Sequence, residues 1–195
     1  LDMKISIKTR IGTHYEEDWD YLLAIYEKYP IHELIIHPRI QTDMYRGVPR
    51  LGAYEKAVNR LKMPLCYNGN LFSTADYKRI IQRFPDTDCF MYGRGLITNP
   101  GLVSEIRDGV QPGKAVLRQF HDCLLEEYKE LLSGERNVLF RMKELWSYMA
   151  VSFTNYEKYA KKIKKSQHLS DYQAAVSSLF AEQELADSIQ RGTTC

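Results

Sequence analysis

Residues 88–100, Asp88-Cys89-Phe90-Met91-Tyr92-Gly93-Arg94-Gly95-Leu96-Ile97-Thr98-Asn99-Pro100, contain the passage on which the fold turns. A short apolar run reads as a strand, breaks at Gly-Arg-Gly, and gives way to Asn99-Pro100, a helix start with Asn as N-cap and Pro at the first helical position. The same cadence occurs three times upstream. Lys4-Ile5-Ser6-Ile7-Lys8 alternates with period two, placing Ile5 and Ile7 on one face and Ser6 and Lys8 on the other, and ends in Thr9-Arg10-Ile11-Gly12. Glu33-Leu34-Ile35-Ile36-His37 runs into Pro38-Arg39. Pro64-Leu65-Cys66-Tyr67-Asn68, with Pro tolerated at its first position, runs into Gly69-Asn70.

Helical patterns fill the gaps. Glu16 to Tyr29 puts Trp19, Leu22, Leu23 and Tyr26 on one face, and Tyr54 to Leu61 reads as a short helix. Ser73-Thr74-Ala75-Asp76 has the form of a capping box and opens a helix to Arg83. Strands beginning near residues 4, 33, 64 and 88 suit βα units of about 30 residues, hence a parallel sheet with right-handed crossovers. After the Gly109–Gly113 turn no strand signal returns. Helices are predicted at 114–132, at 136–155 or on to 165, and at 170–189. The expected organisation is an α/β part at 1–111 followed by an all-α part at 112–195.

Composition narrows the function classes. The 195 residues carry 27 basic and 25 acidic side chains, a net +2 that says little about partners. With 7 Phe, 14 Tyr and 2 Trp the chain has ample core, which excludes disorder as its main state. A complete (β/α)8 barrel takes about 250 residues and does not fit in this length. No apolar run approaches the ~18 residues of a membrane span, and no signal-peptide pattern opens the chain. Cys66, Cys89, Cys123 and Cys195 are scattered without a C-x-x-C pair, so they read as reduced thiols of a cytoplasmic protein, with no disulfide framework and no metal site.

Charge is uneven locally. From Arg136 to Lys165 eight basic residues face only Glu144 and Glu157, a net +6, with Tyr148, Tyr156 and Tyr159 interleaved. That mixture suits a nucleic-acid surface, and a solvated lysine-rich helix face is the other reading.

All four strands end in polar residues or glycine turns, and in α/β barrels the active site lies at those ends. Lys8 could donate to an electron-rich ring or oxyanion, or simply snorkel. His37 could donate to a ligand carbonyl or be a satisfied core histidine. Asn68-Gly69-Asn70 allows close backbone approach through Gly69, or forms a plain turn. Gly93-Arg94-Gly95 offers exposed N–H groups and a guanidinium to an anion. Packing alone does not explain four polar ends in register.

These motifs, with Tyr45-Arg46-Gly47 and the full run Met91–Pro100, resemble the tRNA-dihydrouridine synthases over residues 4 to about 108. The resemblance implies the C-terminal half of a TIM (β/α)8 barrel followed by a helical tRNA-binding domain, and an FMN enzyme reducing a uridine in tRNA with NADPH. By matching motif, Lys8 and His37 would contact the flavin ring or the uridine beside it. Asn68, Gly69 and Asn70, completed by Gly93 and Arg94, would form the FMN phosphate site, with Arg10 and Arg39 near the mouth. The segment Arg141-Met142-Lys143-Glu144-Leu145-Trp146-Ser147-Tyr148 resembles a family helix but lacks its histidine. It joins Lys161, Lys162, Lys164 and Lys165 as expected tRNA contacts.

The family's first four strands and its proton-donating loop cysteine would lie upstream, and none of the four cysteines here occupies that loop. A truncated chain, inactive by itself, is therefore expected. Its exposed half-barrel suggests that two copies associate. Two other readings remain: a non-catalytic RNA-binding module on a half-barrel scaffold, and a phosphate-binding barrel enzyme acting on a small molecule. The basic tail favours an RNA substrate over the latter.

Overall fold

The computed structural model describes residues 3–186. The chain divides into two compact units, one of residues 3–71 and 75–92, the other of residues 72–74 and 93–186. The Gly109–Gly113 turn lies inside the second unit. Among the described residues no helix is long and apolar enough to cross a membrane.

The first unit is built on four parallel strands in sequential order: β1 (Ser6–Arg10), β2 (Glu33–His37), β3 (Leu65–Tyr67) and β4 (Cys89–Phe90). Helices α1 (Asp18–Tyr26), α2 (Leu51–Arg60) and α3 (Thr74–Arg83) connect them, as parallel pairing requires. The first strand starts two residues later than the alternation suggests. Its ladder is set by β2, with Ser6 opposite Glu33 and Arg10 opposite His37, whereas Ile5 is 60% exposed. The last strand contracts to two residues, because only Cys66–Cys89 and Tyr67–Phe90 pair.

One face of the sheet is apolar and covered. Leu34, Ile36 and Tyr67 pack with Trp19, Leu23, Ala53, Tyr54, Ile80 and Phe84 from the helices, and Ile7, Leu65 and Phe90 lie against them. Burying each large side chain of this kind stabilises the unit by about 1.5–3 kcal/mol. The polar atoms within this core are matched: Trp19 Nε1 donates to the Ala53 carbonyl at 2.8 Å, and the Tyr54 and Thr87 hydroxyls meet at 3.2 Å.

The second unit carries a short α4 (Arg94–Thr98) that the sequence reading did not expect, then α5 (Leu102–Asp108), α6 (Lys114–Leu131), α7 (Glu135–Met149), α8 (Glu157–Lys165) and α9 (Leu169–Glu182). Asn99 and Pro100 do not take the expected N-cap and first helical positions: α5 begins at Leu102 with Gly101 as N-cap, and Asn99 Oδ1 accepts the Gly101 N–H at 3.0 Å. The segment read as one helix from 136 towards 165 is two. A 3-10 turn at Ala150–Ser152 is followed by extended Phe153 and by Asn155 at φ 44°, which stop α7 before α8 begins. The last helix ends at Glu182, and Leu185 bridges to Phe153. The expected continuation over 187–189 lies outside the described residues.

Met142, Trp146, Met149, Phe153, Tyr159, Ile163, Tyr172, Val176 and Leu179 form the core of this unit. A polar chain runs through it. Burial lowers the His121 pKa, so the ring is neutral, and its Nδ1–H faces Asp122 Oδ1 at 2.8 Å. That leaves Nε2 to accept from the Tyr172 hydroxyl at 2.6 Å, and this hydroxyl in turn accepts the Trp146 indole N–H at 2.6 Å. Arg118 holds the outer end through Asp122 at 2.8 Å.

Candidate active site

Strand alternation separates the sheet into two chemistries. With Ile7, Leu34, Ile36, Tyr67 and Phe90 turned to the helices, the opposite face receives Lys8 and Arg10 of β1, Glu33, Ile35 and His37 of β2, Cys66 and Asn68 at β3, and Cys89 at β4. Arg10, His37 and Asn68 thus come together at the C-terminal end of the first unit's sheet, with Lys8 two residues deeper on the same face.

Lys8 is exposed, and partial burial followed by the nearby Arg10 guanidinium lowers its ammonium pKa. Arg10 donates to the Ile40 and Gln41 carbonyls at 3.0 and 3.2 Å, and its guanidinium lies 5.6 Å from the centre of the Tyr45 ring. His37 is 6% exposed, and its ring is 6.3 Å from that of Tyr45 at a tilt of 31°. Tyr45, itself half exposed, therefore belongs to this cluster. Its place in the Tyr45-Arg46-Gly47 motif was the available signal, but nothing local shows that it meets Arg10.

Arg39 is wholly buried. Its guanidinium donates to the Arg46 carbonyl, to the Gly47 carbonyl at 2.8 Å and to Asn70 Oδ1 at 3.1 Å. One side chain thus ties the loop that presents Tyr45 to the loop after β3. The Ile11 N–H donates to the Arg39 carbonyl at 3.1 Å, which joins the end of β1 to the same knot.

Asn68 bridges two strand ends, its N–H donating to the Ile36 carbonyl at 2.9 Å and Nδ2 to the Met91 carbonyl at 2.7 Å. Gly69 sits in a close approach: a Cβ there would meet Pro49 Cγ at 3.1 Å and the Tyr67 hydroxyl at 3.2 Å. Asn70 follows at φ 43°, a left-handed conformation that Asn tolerates better than most residues.

Gly93 and Arg94 belong to the second unit. Gly93 is exposed with open space where a side chain would be, and the Arg94 guanidinium lies 5.3 Å from the Phe72 ring centre.

The basic segment resolves into different roles. Arg141 pairs with Glu144 at 3.0 Å, and Lys143 donates to the Ser166 carbonyl, holding the residue that ends α8. Lys161, Lys162, Lys164 and Lys165 are exposed on α8, whose buried side is Tyr159 and Ile163.

The donor set suits a flat heterocycle rich in acceptors. An ammonium, an imidazole and a carboxamide lie along consecutive strands, where they can meet the carbonyl and ring-nitrogen acceptors of such a ring.

A family model described as "Dihydrouridine synthase (Dus)" matches residues 1–192. The chain is 29% identical over 150 residues to a tRNA-dihydrouridine(16) synthase of Shewanella oneidensis, covering 74% of this chain and 46% of that protein. It is 23% identical over 143 residues to a Rickettsia conorii protein named "Probable tRNA-dihydrouridine synthase", covering 68% and 41%. The chain spans about half the length of the curated relatives it matches.

Proposed function

Because this chain belongs to the dihydrouridine synthase family, we propose that it forms part of an FMN enzyme that reduces a uridine of tRNA to dihydrouridine with NADPH as reductant. The observation that carries this reading is the shared sheet face of Lys8, Arg10, His37 and Asn68, the last three at strand ends, in a chain matched by that family along nearly its whole length. FMN when bound supplies the hydride; the protein supplies orientation and charge.

Lys8 donates to acceptor atoms of the ring or to the substrate carbonyl, and His37 donates beside it. Arg10 and Tyr45 border the mouth through which a uridine enters once it has left its stack. Arg39 acts at one remove, keeping the Tyr45 loop and Asn70 in place. The turn at Asn68–Asn70 gives its backbone to the FMN phosphate. Lys161, Lys162, Lys164 and Lys165 contact tRNA phosphates.

The described cysteines lie within the sheet or on a helix, away from the strand-end loops. Cys66 is buried, Cys89 donates to Glu33, and Cys123 lies exposed on α6. In this reading an acid other than these three thiols protonates the uracil. Two copies of the chain associate through the sheet face opposite the helices, and a monomer by light scattering at high concentration contradicts that.

The test is direct. Purified chain mixed with FMN is expected to quench flavin fluorescence, and Lys8→Ala is expected to weaken binding. Absence of flavin binding by the folded chain overturns the cofactor assignment and leaves the RNA-binding scaffold. The chain alone, with FMN and NADPH, is expected to form no dihydrouridine by mass spectrometry of treated tRNA.

A further inference from the structure

On the sheet face away from the helices, Glu33, Cys66 and Cys89 come from three neighbouring strands and point their ligand atoms at one another. The carboxylate oxygen and the two sulfurs all lie within 4.8 Å of each other, and the Cys89 thiol donates to Glu33 Oε1 at 3.2 Å. Cys66 and Cys89 are direct partners in the β3–β4 ladder, and Glu33 stands two residues before Ile35, the β2 partner of Cys66. Linear spacing gave no hint of this group, because a C-x-x-C search sees only neighbours along the chain.

We propose that Glu33, Cys66 and Cys89 form a binding site for a thiophilic divalent cation of the zinc class, with water in the fourth position. Two thiolates and a carboxylate suit a borderline-soft ion and disfavour calcium or magnesium, which take all-oxygen shells. With metal–sulfur bonds of about 2.3 Å and metal–oxygen bonds of about 2.0–2.2 Å, the edges of a tetrahedral site are about 3.5–3.8 Å. The present separations need only small side-chain rotations to reach them.

The charge balance supports the site. Without metal the cluster holds two thiols and a carboxylate, a formal charge of −1. On binding, each S–H bond breaks, both protons leave to solvent, two metal–sulfur bonds form, and three negative ligands around a dication again give −1. No oxidant or reductant is involved. The half-buried site therefore exchanges two protons for one ion with no change in its charge. Structurally, the ion would clamp β4, which is held in the sheet by a ladder of only two residue pairs.

The experiment is titration of the reduced 195-residue chain with Co2+ as a spectroscopic probe and with Zn2+ as competitor. The expected result is one equivalent bound, with thiolate-to-cobalt charge transfer and visible bands of tetrahedral intensity, bleached by Zn2+. Two protons are released per ion, measured in weak buffer with an indicator dye. Cys66→Ser and Cys89→Ser each halve the charge-transfer band or abolish it, and Glu33→Gln weakens binding by at least about tenfold. Cys123→Ser and Cys195→Ser leave it unchanged. Circular dichroism checks that each variant folds; the Glu33→Gln comparison keeps the test decisive if a cysteine variant does not. Binding without charge transfer, or a band lost only with Cys123 or Cys195, overturns the site, as does the absence of binding.

Discussion

Removing a single oxygen from the core of the helical unit, by Tyr172→Phe, is expected to be severe. Tyr172 is fully buried, and its hydroxyl is at once the acceptor for the Trp146 N–H and the donor to His121 Nε2, both at 2.6 Å. Trp146 and His121 are 2% and 1% exposed, so no water replaces the lost partner. Leaving a buried polar group unsatisfied costs about 1–3 kcal/mol, and two are stranded here, giving about 2–4 kcal/mol once relaxation is allowed for. That is a large part of the roughly 5–15 kcal/mol by which domains are stable. The assay is urea unfolding at pH 7.5 followed by Trp146 fluorescence in a Trp19→Phe background, so that only the second unit is observed. Phe140→Tyr, at a site on α7 that is 67% exposed, serves as control and should change stability by less than about 0.5 kcal/mol. A Tyr172→Phe loss no larger than the control's would refute the relay and its proton order.

Other expectations follow from the same geometry. Burial lowers the His121 pKa below the value of about 6.5 of an unfolded chain, so its stabilising contribution is complete above that pH and is lost as pH falls through and below it. Thermal unfolding of the second unit should accordingly weaken from pH 6.5 downwards, and His121→Gln should flatten that slope. Gly12→Ala should destabilise the first unit by about 1–3 kcal/mol in urea unfolding, since Gly12 sits at φ 153° and a Cβ would lie 2.3 Å from the Tyr15 carbonyl oxygen. Arg39→Ala should loosen the Tyr45 and Asn70 loops together, seen as faster amide exchange at residues 45–47 and 70, with flavin affinity reduced as a consequence. Charge reversal at Lys161, Lys162, Lys164 and Lys165 should lower tRNA affinity and flatten its salt dependence; unchanged affinity would mark that face as ordinary solvated surface.

What could be read without the fold was periodic and local. The four strands, the connecting helices and the polar residue at each strand end follow from alternation, caps and glycine turns, so Lys8, Arg10, His37 and Asn68 were nameable in advance. The break in the long basic helix was harder to see, because Glu157–Lys165 is a good helix in its own right and only Asn155 at positive φ separates it from α7. Lys143 had the composition of a nucleic-acid contact, yet its partner is the Ser166 carbonyl, 23 residues away.

The amino-acid sequence by itself determined the parallel βα units, the change to helices and the chemistry at the strand ends, since each depends on residues within a few positions of one another. Only the tertiary structure decided that Arg39 is buried as a knot between loops and that Tyr45 meets Arg10. It also decided that His121, Tyr172 and Trp146 share one chain of hydrogen bonds, and that Glu33, Cys66 and Cys89 face each other. The physical reason is that register between parallel strands, and packing between helices, are set by the burial of whole faces. Which polar atoms then meet is a consequence of that burial, and no short window of residues contains it.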